Sequence, residues 1–369
     1  MDCMNDRRIV MTLDAGGTNF VFSAIQGNKM IVGPINYPSN ANDLDKSLSN
    51  IINGFNEIKT QLKNKKPVAI SFAFPGPADY PRGIIGDLGN LPAFRGGIAL
   101  GPMLEEKFGL PVFINNDGNL YAYGESIAGF LPEVNKELEK SGSPKRYKNL
   151  VGFTLGTGFG AGIVIDGNLV IGDNSNAGEV WLLRNKLFPA MNAEASASIR
   201  AVKREYAKTA GIEEQKSPEP KDIYDIATGQ QTGNKIAALK AFQHMAEAIG
   251  DAAANVSTLI DGLVVFGGGI AGAQDIFLPR LIDEMNSNFK ALDGSEFPRM
   301  AVKAFNYENV EEKKQFLAGS TKQIKVPFSD KIINYDPLMR IGVGTSKIGT
   351  SEAISIGAYA FALSQIDQK

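Results

Sequence analysis

The feature that most constrains the fold is a glycine-rich β-meander that occurs twice, with about 140 residues between the two copies. The first copy covers residues 9–32 and the second covers residues 150–171. In each copy an apolar strand enters a glycine-rich turn, at residues 14–18 (DAGGT) and 156–160 (GTGFG), and further strands follow. A chain of 369 residues has room for two domains of common size. The repeat therefore predicts two copies of one α/β unit, each beginning with a meander.

The two turns together predict a clamp for a polyphosphate. Glycine lets the backbone come close to a ligand, so each turn can direct several N–H groups at phosphate oxygens. Neither turn is followed by Gly-Lys-Ser/Thr or leads from a strand into a helix, which excludes the Walker and dinucleotide patterns. Taken singly, each turn is equally compatible with an ordinary hairpin. The predicted ATP contacts are Gly16, Gly17, Thr18 and Asn19 in the first turn and Gly156, Thr157 and Gly158 in the second.

Asp14 is the candidate magnesium ligand. It ends the first strand beside the first turn, where a carboxylate can hold Mg²⁺ through water against the β- and γ-phosphates. The second copy has Gly156 at the equivalent position, as one metal shared by two clamps would require. The alternative is that Asp14 only forms the turn.

Asp117 is the candidate general base. It lies between an apolar strand at residues 111–115 and a predicted helix at residues 120–128, so its carboxylate can face a cleft. Phosphoryl transfer needs a positioned hydroxyl, a carboxylate to accept its proton, and cations to offset developing charge. The sequence around Asp117, Asn116-Asp117-Gly118-Asn119, is equally typical of a strand-end turn or a helix cap.

A third glycine cluster, Gly267, Gly268 and Gly269, follows the apolar strand at residues 263–266 and precedes a helix that we expect to start near Ala271. Such a turn can present a flat backbone surface to an adenine ring or a ribose. A tight strand-to-helix turn explains it equally well.

The composition of the chain excludes several classes of function. The 38 basic and 40 acidic residues give a net charge of −2, so the chain lacks the basic field that nucleic acid binding requires. A single cysteine, Cys3, and a single histidine, His244, exclude an internal disulfide framework, a cysteine-rich zinc cluster and most histidine triads. A general base should then be a carboxylate, and His244, in a predicted helix at residues 236–260, should be structural. With no secretory or membrane-spanning pattern, we expect a cytoplasmic protein without a membrane partner.

The predicted domain plan has two parts. A smaller N-terminal domain, residues 1–123, carries the first phosphate hairpin and Asp117, and a C-terminal helix at about residues 353–369 packs back on it. A larger domain, residues 124–352, carries the second hairpin and the adenosine site. Residues 130–148 are polar and predict an exposed insertion or connector, and residues 291–350 are irregular and give no firm structural prediction.

In this order, the segments resemble the ROK family of bacterial sugar kinases and sugar-responsive repressors. The matching segments are DAGGTN (14–19), PGP (75–77), NLP (90–92), NDGN (116–119), LGTG (155–158), AGE (177–179), EASAS (194–198) and GGG (267–269). The resemblance implies two actin-like ATPase (ribonuclease H-like) domains with mixed sheets, helices on both faces and a cleft between them. It also implies ATP and Mg²⁺ as cofactors and Asp117 as the base. The implied sugar-binding residues are Gly76, Asn90, Asn116, Asp117, Glu179 and Glu194.

The chain departs from the family at one loop. The family continues Glu-X-Gly-His, whereas this chain has Glu179-Val180-Trp181-Leu182, and residues 183–193 contain no cysteine. Without this histidine and these cysteines, the loop has too few ligands for the zinc site of the family. We expect packing of Trp181, Leu183 and Phe188 to hold the loop instead. The identity of the sugar is left open, because this loop forms one wall of the pocket.

The leading hypothesis is an ATP-dependent hexose kinase that binds a small-molecule sugar between its two domains. A second hypothesis is a sugar-sensing regulatory protein that binds ligand without catalysis, and a third is an actin-like ATPase that acts on no sugar. The first strand begins at residue 9, so we expect no N-terminal DNA-binding module. A homodimer is compatible with the family, although no interface signal is present in the sequence.

Overall fold

The computed structural model describes residues 3–16, 18–87 and 91–368. The chain divides into two compact units. Unit 1 comprises residues 1–129, 168–178 and 348–369, and unit 2 comprises residues 130–167 and 179–347. The predicted domain boundaries at 123/124 and 352/353 stay a prediction.

Both units are built from strands and helices. The strands, in chain order, are β1 (Ile9–Ala15), β2 (Asn19–Gln26), β3 (Lys29–Pro38), β4 (Pro67–Ala73), β5 (Ala78–Asp79), β6 (Ile84–Ile85), β7 (Val112–Asn115), β8 (Leu150–Leu155), β9 (Phe159–Ile165), β10 (Asn168–Val170), β11 (Leu263–Gly267), β12 (Asn288–Lys290), β13 (Glu296–Pro298), β14 (Lys303–Asn306), β15 (Lys322–Lys325), β16 (Ile332–Tyr335) and β17 (Arg340–Thr345). The helices are α1 (Leu44–Leu62), α2 (Leu100–Phe108), α3 (Asp117–Ile127), α4 (Phe130–Lys140), α5 (Ile199–Ala210), α6 (Pro220–Thr228), α7 (Lys235–Ile260), α8 (Gln274–Met285), α9 (Val310–Ala318) and α10 (Thr350–Asp367).

The unit 1 sheet has the strand order β3-β2-β1-β4-β7. The first three strands form an antiparallel meander, and β4 and β7 run parallel to β1. Helix α1 packs on this sheet through Phe55, whose ring meets Phe22 edge-to-face at 5.1 Å. A Cβ at Gly54 would lie 2.3 Å from the Phe22 ring, so the close approach of α1 requires a glycine there. Each fully buried phenylalanine contributes about 1.5–3 kcal/mol relative to an exposed one.

The second large sheet has six strands in the order β10-β9-β8-β11-β17-β14 and repeats this plan. An antiparallel pair, β8 and β9, is continued by β11, β17 and β14, which run parallel to β8. Stacked rings of Phe153, Phe159 and Phe266 link β8, β9 and β11. The predicted duplication of one meander-led unit is confirmed at the level of strand order.

Helices α3 and α10 of unit 1 cross at unusually short range. A Cβ added to Gly124 of α3 would lie 1.9 Å from the carbonyl oxygen of Ala353, and one added to Gly357 of α10 would lie 1.9 Å from that of Leu120. Only glycine fits at these two positions, because real Cβ atoms essentially never approach within 3.0 Å. The contact fixes α3, whose first residue is Asp117.

One segment differs from the sequence expectation, and a second had no firm structural prediction. Residues 130–148 were predicted as an exposed connector, but α4 occupies most of them and buries Phe130, Val134 and Leu138 at a spacing of four residues. The many charges of this segment lie on the opposite side of an amphipathic helix. The irregular stretch 291–350 contains β17, a fully buried strand, together with α9 and the small hairpin β15–β16. It also contains β13, which pairs with β12 just before the stretch.

Within the described part of the chain, none of the helices combines the length and the apolar character needed to cross a bilayer.

Candidate functional site

The carboxyl ends of β1, β4 and β7 lie at one edge of the unit 1 sheet. The register pairs Asp14 of β1 with Ala73 of β4, and Ala73 with Asn115 of β7. Neighbouring strands lie about 4.8 Å apart, so Asp14 and Asn115 are about 10 Å apart across the sheet. Asn116 and Asp117 follow Asn115 directly, so the two predicted acidic residues lie at the same edge of the sheet.

The first glycine turn lies at the same edge. The Gly16 N–H donates to the carbonyl oxygen of Asn19 at 3.0 Å, which closes the turn between β1 and β2. Gly16, Thr18 and Asn19 are exposed, so they are accessible to a ligand. Gly17 lies outside the described residues.

Asp117 is the first residue of α3, and Asn116 is its N-cap. The Gly118 N–H donates to Asn116 Oδ1 at 2.8 Å and to Asp117 Oδ1 at 2.9 Å. The helix was predicted to begin at Leu120, three residues too late, because Asn-Asp-Gly is a poor helix sequence and acts here as the cap and first turn. The amino end of the helix is a favourable place for a carboxylate.

Both carboxyl groups at this edge have raised pKa values. Burial is the largest cause for Asp14, and the charge of Asp117 raises the pKa of Asp14 further. The protein packed around Asp117 raises the pKa of its carboxyl by desolvation, against the opposing hydrogen bond from the Gly118 N–H. Asp117 still keeps more than a third of its surface accessible to solvent, so water screens part of this effect. No described lysine or arginine pairs with either carboxylate.

Gly76 lies in the exposed segment that follows β4. The Tyr80 hydroxyl donates to the carbonyl oxygen of Phe74 at 2.9 Å, and a Cβ at Gly76 would lie 3.0 Å from the Tyr80 oxygen. A larger residue at Gly76 would have to displace Tyr80. Asn90, the other predicted residue of this sugar segment, lies outside the described residues.

In unit 2, two glycine clusters meet at the carboxyl ends of β8 and β11. The Gly156 N–H donates to the carbonyl oxygen of Gly158 at 3.1 Å and closes the second hairpin turn, in which Thr157 is exposed. Gly268 has a φ of +89°, and a Cβ there would lie 2.3 Å from the carbonyl oxygen of Leu155, directly before that turn. A glycine at position 268 is therefore required for β11 to end beside the hairpin. Of its two neighbours, Gly267 is buried and Gly269 is exposed.

Glu194 lies at the second glycine turn, a placement that sequence reasoning missed. Its Oε2 accepts a hydrogen bond from the Phe159 N–H at 3.1 Å, and its Oε1 lies 3.2 Å from Arg200 Nη2. A Cβ at Gly158 would lie 2.9 Å from Glu194 Oε2. The Ile199 N–H also donates to the carbonyl oxygen of Gly156 at 2.9 Å, so the start of α5 and Glu194 together hold this turn.

Glu179 is half-buried and directly precedes a short 3₁₀ turn, Val180–Leu182. The indole Nε1–H of Trp181 donates to its Oε2. This side-chain pair had no signal in the sequence beyond the proximity of the two residues.

The loop that follows is organised by the hydrogen bonds of a buried asparagine, which the sequence did not predict, in addition to the packing of Phe188. The Asn185 Nδ2 group donates to Asn192 O at 3.0 Å and to Ser196 Oγ at 2.9 Å. Its Oδ1 accepts from the Leu187 and Phe188 N–H groups, an Asx-turn arrangement. Asn185 is 1% exposed, whereas Phe188 is 37% exposed. This amide side chain therefore fixes the backbone conformation within the loop.

Two further contacts attach this loop to the helices of unit 2. Lys186 forms ion pairs with Glu284 at 2.6 Å and with Glu247 at 3.1 Å. The Phe188 ring packs on His244 with centroids 5.7 Å apart, and burial lowers the pKa of this histidine. These contacts give His244 a packing role.

The ROK family model matches residues 10–304. The chain belongs to the ROK family. A solved glucokinase from Parabacteroides distasonis is 53% identical, covers 99% of both chains and has a TM-score of 0.89. The glucokinase of Halalkalibacterium halodurans is 28% identical over 327 residues, 80% of this chain and 90% of that protein. A solved ROK glucokinase from Streptomyces griseus, in complex with glucose and AMPPNP, is 17% identical, with a TM-score of 0.59 over 95% of this chain and 98% of that one. These ROK structures confirm the predicted actin-like ATPase fold.

Proposed function

We propose that this protein is an ATP-dependent kinase that phosphorylates a hexose, with glucose as the first candidate. The observation that carries the proposal is the pairing of Asp14 and Asp117 at one sheet edge, beside an exposed glycine turn. One carboxylate can then bind the metal ion, and the other can accept a proton from the substrate. Similarity to glucokinases over almost the whole chain supports both the activity and the choice of glucose.

Asp117 is the proposed general base. It accepts the proton of one sugar hydroxyl while that oxygen attacks the γ-phosphorus of ATP. A new P–O bond forms, the bond from the γ-phosphorus to the bridging oxygen breaks, and ADP leaves. A raised pKa suits this role, because a base works best when its pKa approaches the working pH.

Asp14 is the proposed magnesium ligand, acting through water. It is a half-buried carboxylate without a described cationic partner, and Asp117 raises its pKa by charge repulsion. A divalent cation at this edge would offset both negative charges, so the residues fit Mg²⁺. When bound, Mg²⁺ neutralises charge on the β- and γ-phosphates.

The glycine turns are the proposed ATP contacts. Exposed backbone at Gly16, Thr18 and Asn19 supports phosphate binding by the first turn, and the exposed Thr157 supports it for the second. The exposed backbone at Gly269 is the part of the third cluster that best suits an adenosine contact. Gly17 is also a proposed ATP contact.

The proposed sugar ligands are Asn90, Asn116, Asp117 and Glu179, with Gly76 in the pocket wall. Asn116 Oδ1 already caps α3, which leaves its amide Nδ2 group for a sugar oxygen. Glu194 was assigned to the sugar by resemblance. Its hydrogen bond to Phe159 N–H and its pairing with Arg200 favour a different role, in holding the second ATP turn.

A coupled ADP-release assay tests the proposal. With Mg-ATP, we expect glucose-dependent turnover, measured beside mannose, fructose and N-acetylglucosamine. Asp117→Asn should lower kcat by about 10²- to 10⁴-fold, the usual contribution of a general base. Asp45→Asn, the same change in the exposed first turn of α1, is the matched control. Sugar binding without ADP release would instead make the protein a sugar sensor, and ATP hydrolysis that no sugar stimulates would make it an ATPase.

A further inference from the structure

We infer that Trp181 is a positioning residue that holds the Glu179 carboxylate in the orientation needed to accept hydrogen bonds from the sugar hydroxyls. The inference rests on the proposed function, in which Glu179 is a sugar ligand. It assigns a role to Trp181, to which the kinase proposal alone assigns none.

The first argument is the arrangement of the Glu179 carboxylate. Its one hydrogen bond within the described part of the chain comes from the Trp181 indole N–H, and no described lysine or arginine forms an ion pair with it. An ionised carboxylate has about four lone-pair sites, so roughly three stay available for hydroxyl groups. A half-buried glutamate paired with a cation would have its oxygens occupied, whereas here one neutral donor fixes the side chain and leaves the rest free to bind.

The second argument is that the backbone that carries the indole is held in place. Trp181 lies in the middle of the 3₁₀ turn, which is closed by hydrogen bonds from Leu182 N–H to Glu179 O at 3.1 Å and from Leu183 N–H to Val180 O at 3.0 Å. Leu183 O in turn accepts from the Ala193 N–H at 2.7 Å, at the end of the loop that Asn185 pins. A donor on such a turn can orient a carboxylate at little entropic cost.

The third argument is chemical. The indole N–H is a donor only and does not titrate near neutral pH. It can therefore keep Glu179 oriented without neutralising it, and it adds no pH dependence to sugar binding. A histidine at the same place would gain a charge as the pH falls through about 6.5 and would then also pair with the carboxylate.

Trp181 is the only tryptophan of the chain, which allows a direct binding test. Titration of the wild-type protein with glucose, without ATP, should change its tryptophan emission along a saturable curve that agrees with the dissociation constant from calorimetry. Calorimetric binding of glucose with no change in emission would overturn the inference. A change in emission without any ADP release would support it while removing the kinase proposal.

Substitution separates positioning from packing. Trp181→Phe keeps an aromatic ring but loses the N–H, and should raise KM for glucose about tenfold, with kcat and KM for ATP within about twofold of wild type. Trp181→His restores a donor and should recover part of the loss, with a KM that falls as the pH is lowered through about 6.5. Tyr335→Phe, which removes a polar group from an exposed aromatic residue of β16, is the matched control.

A double-mutant cycle completes the test. Once Glu179→Ala has removed the carboxylate, adding Trp181→Phe should raise KM no further, because the two residues act through one contact. Additive losses, or a Trp181→Phe variant with wild-type KM for glucose in an active enzyme, would contradict the inference and leave the kinase proposal intact.

Discussion

Asp117 combines an accessible carboxylate with surroundings that oppose its ionisation. Its neighbours raise its pKa, and its own charge raises the pKa of Asp14. Because the charge of Asp117 acts on Asp14, protonation of Asp117 should bring the pKa of Asp14 down again. Such an arrangement costs stability and is retained where it serves chemistry.

The acid limb of the pH–rate profile should report this pair. Because Asp117 must be ionised to accept a proton, kcat/KM should fall as the pH drops through a pKa that lies above the ordinary aspartate value of 3.8. The measurement is kcat/KM for glucose across the acid range at saturating magnesium. A limb that turns down only at the ordinary aspartate pKa would contradict the proposed base.

The same shift predicts how Asp117→Asn changes stability. The folded state raises the pKa, so it binds the proton more tightly than the unfolded chain and is penalised when the group ionises. Asn avoids this penalty. Relative to wild type, the variant should gain stability as the pH rises from 3.8 through the raised folded pKa, and the gain should then stay constant. Thermal melts of both proteins over this range check the sign, and a variant whose relative stability falls with rising pH would refute it.

At the scale of elements, the position of Asp117 depends on the contact between α3 and α10. The two helices touch through Gly124 and Gly357, each of which faces a backbone carbonyl of the other helix. Backbone carbonyls cannot rotate away as a flexible side chain can, so an added methyl group must push the helices apart.

We therefore expect Gly124→Ala and Gly357→Ala each to destabilise the protein by about 1–3 kcal/mol or more, the usual cost of overpacking. Urea unfolding measures the loss, and kcat should also fall because α3 carries Asp117. Gly272→Ala is the control, since no atom lies within 4 Å of its added Cβ and no positive φ applies. Equal stability of all three variants would show that the helix contact relaxes freely.

At the scale of the whole molecule, the elements that depend on local sequence patterns could be predicted. Those that depend on contacts between distant residues could not. The meanders were predictable because each glycine turn lies between strands with clear apolar patterns. The strand β17 was not predicted because Arg340 and two glycines interrupt its apolar pattern. The buried arginine forms an ion pair with Asp336 at 2.6 Å and donates to the carbonyl oxygen of Phe316 at 2.6 Å. The amphipathic spacing of α4 was present in the sequence and was overlooked in favour of its charge.

The candidate site also contains residues that could be predicted from local sequence and residues that could not. Asp14, Asp117 and the glycine turns could be proposed from strand ends and turn chemistry, which are local. The contacts of Glu194 with Phe159 and of Asn185 with Ser196 join residues 35 and 11 positions apart. Their partners are backbone groups or small hydroxyls that no sequence pattern marks, so only the folded chain reveals them.

Ligand binding should stabilise the whole protein even where chemistry is blocked. A ligand that binds only the folded state adds about 2.7 kcal/mol at one hundred times its dissociation constant. Glucose at that concentration should therefore raise the melting temperature of wild type and of Asp117→Asn by a few degrees, since the amide can still hydrogen-bond a hydroxyl. Glu179→Ala should lose most of the shift. Mannitol, an open-chain polyol, is the ligand control in the same thermal scan.

Because stabilisation without turnover needs only the binding residues, a rise in melting temperature with glucose in Asp117→Asn, together with its lost activity, would separate the sugar ligands from the base. The absence of any shift in the wild type would remove the hexose from the proposal.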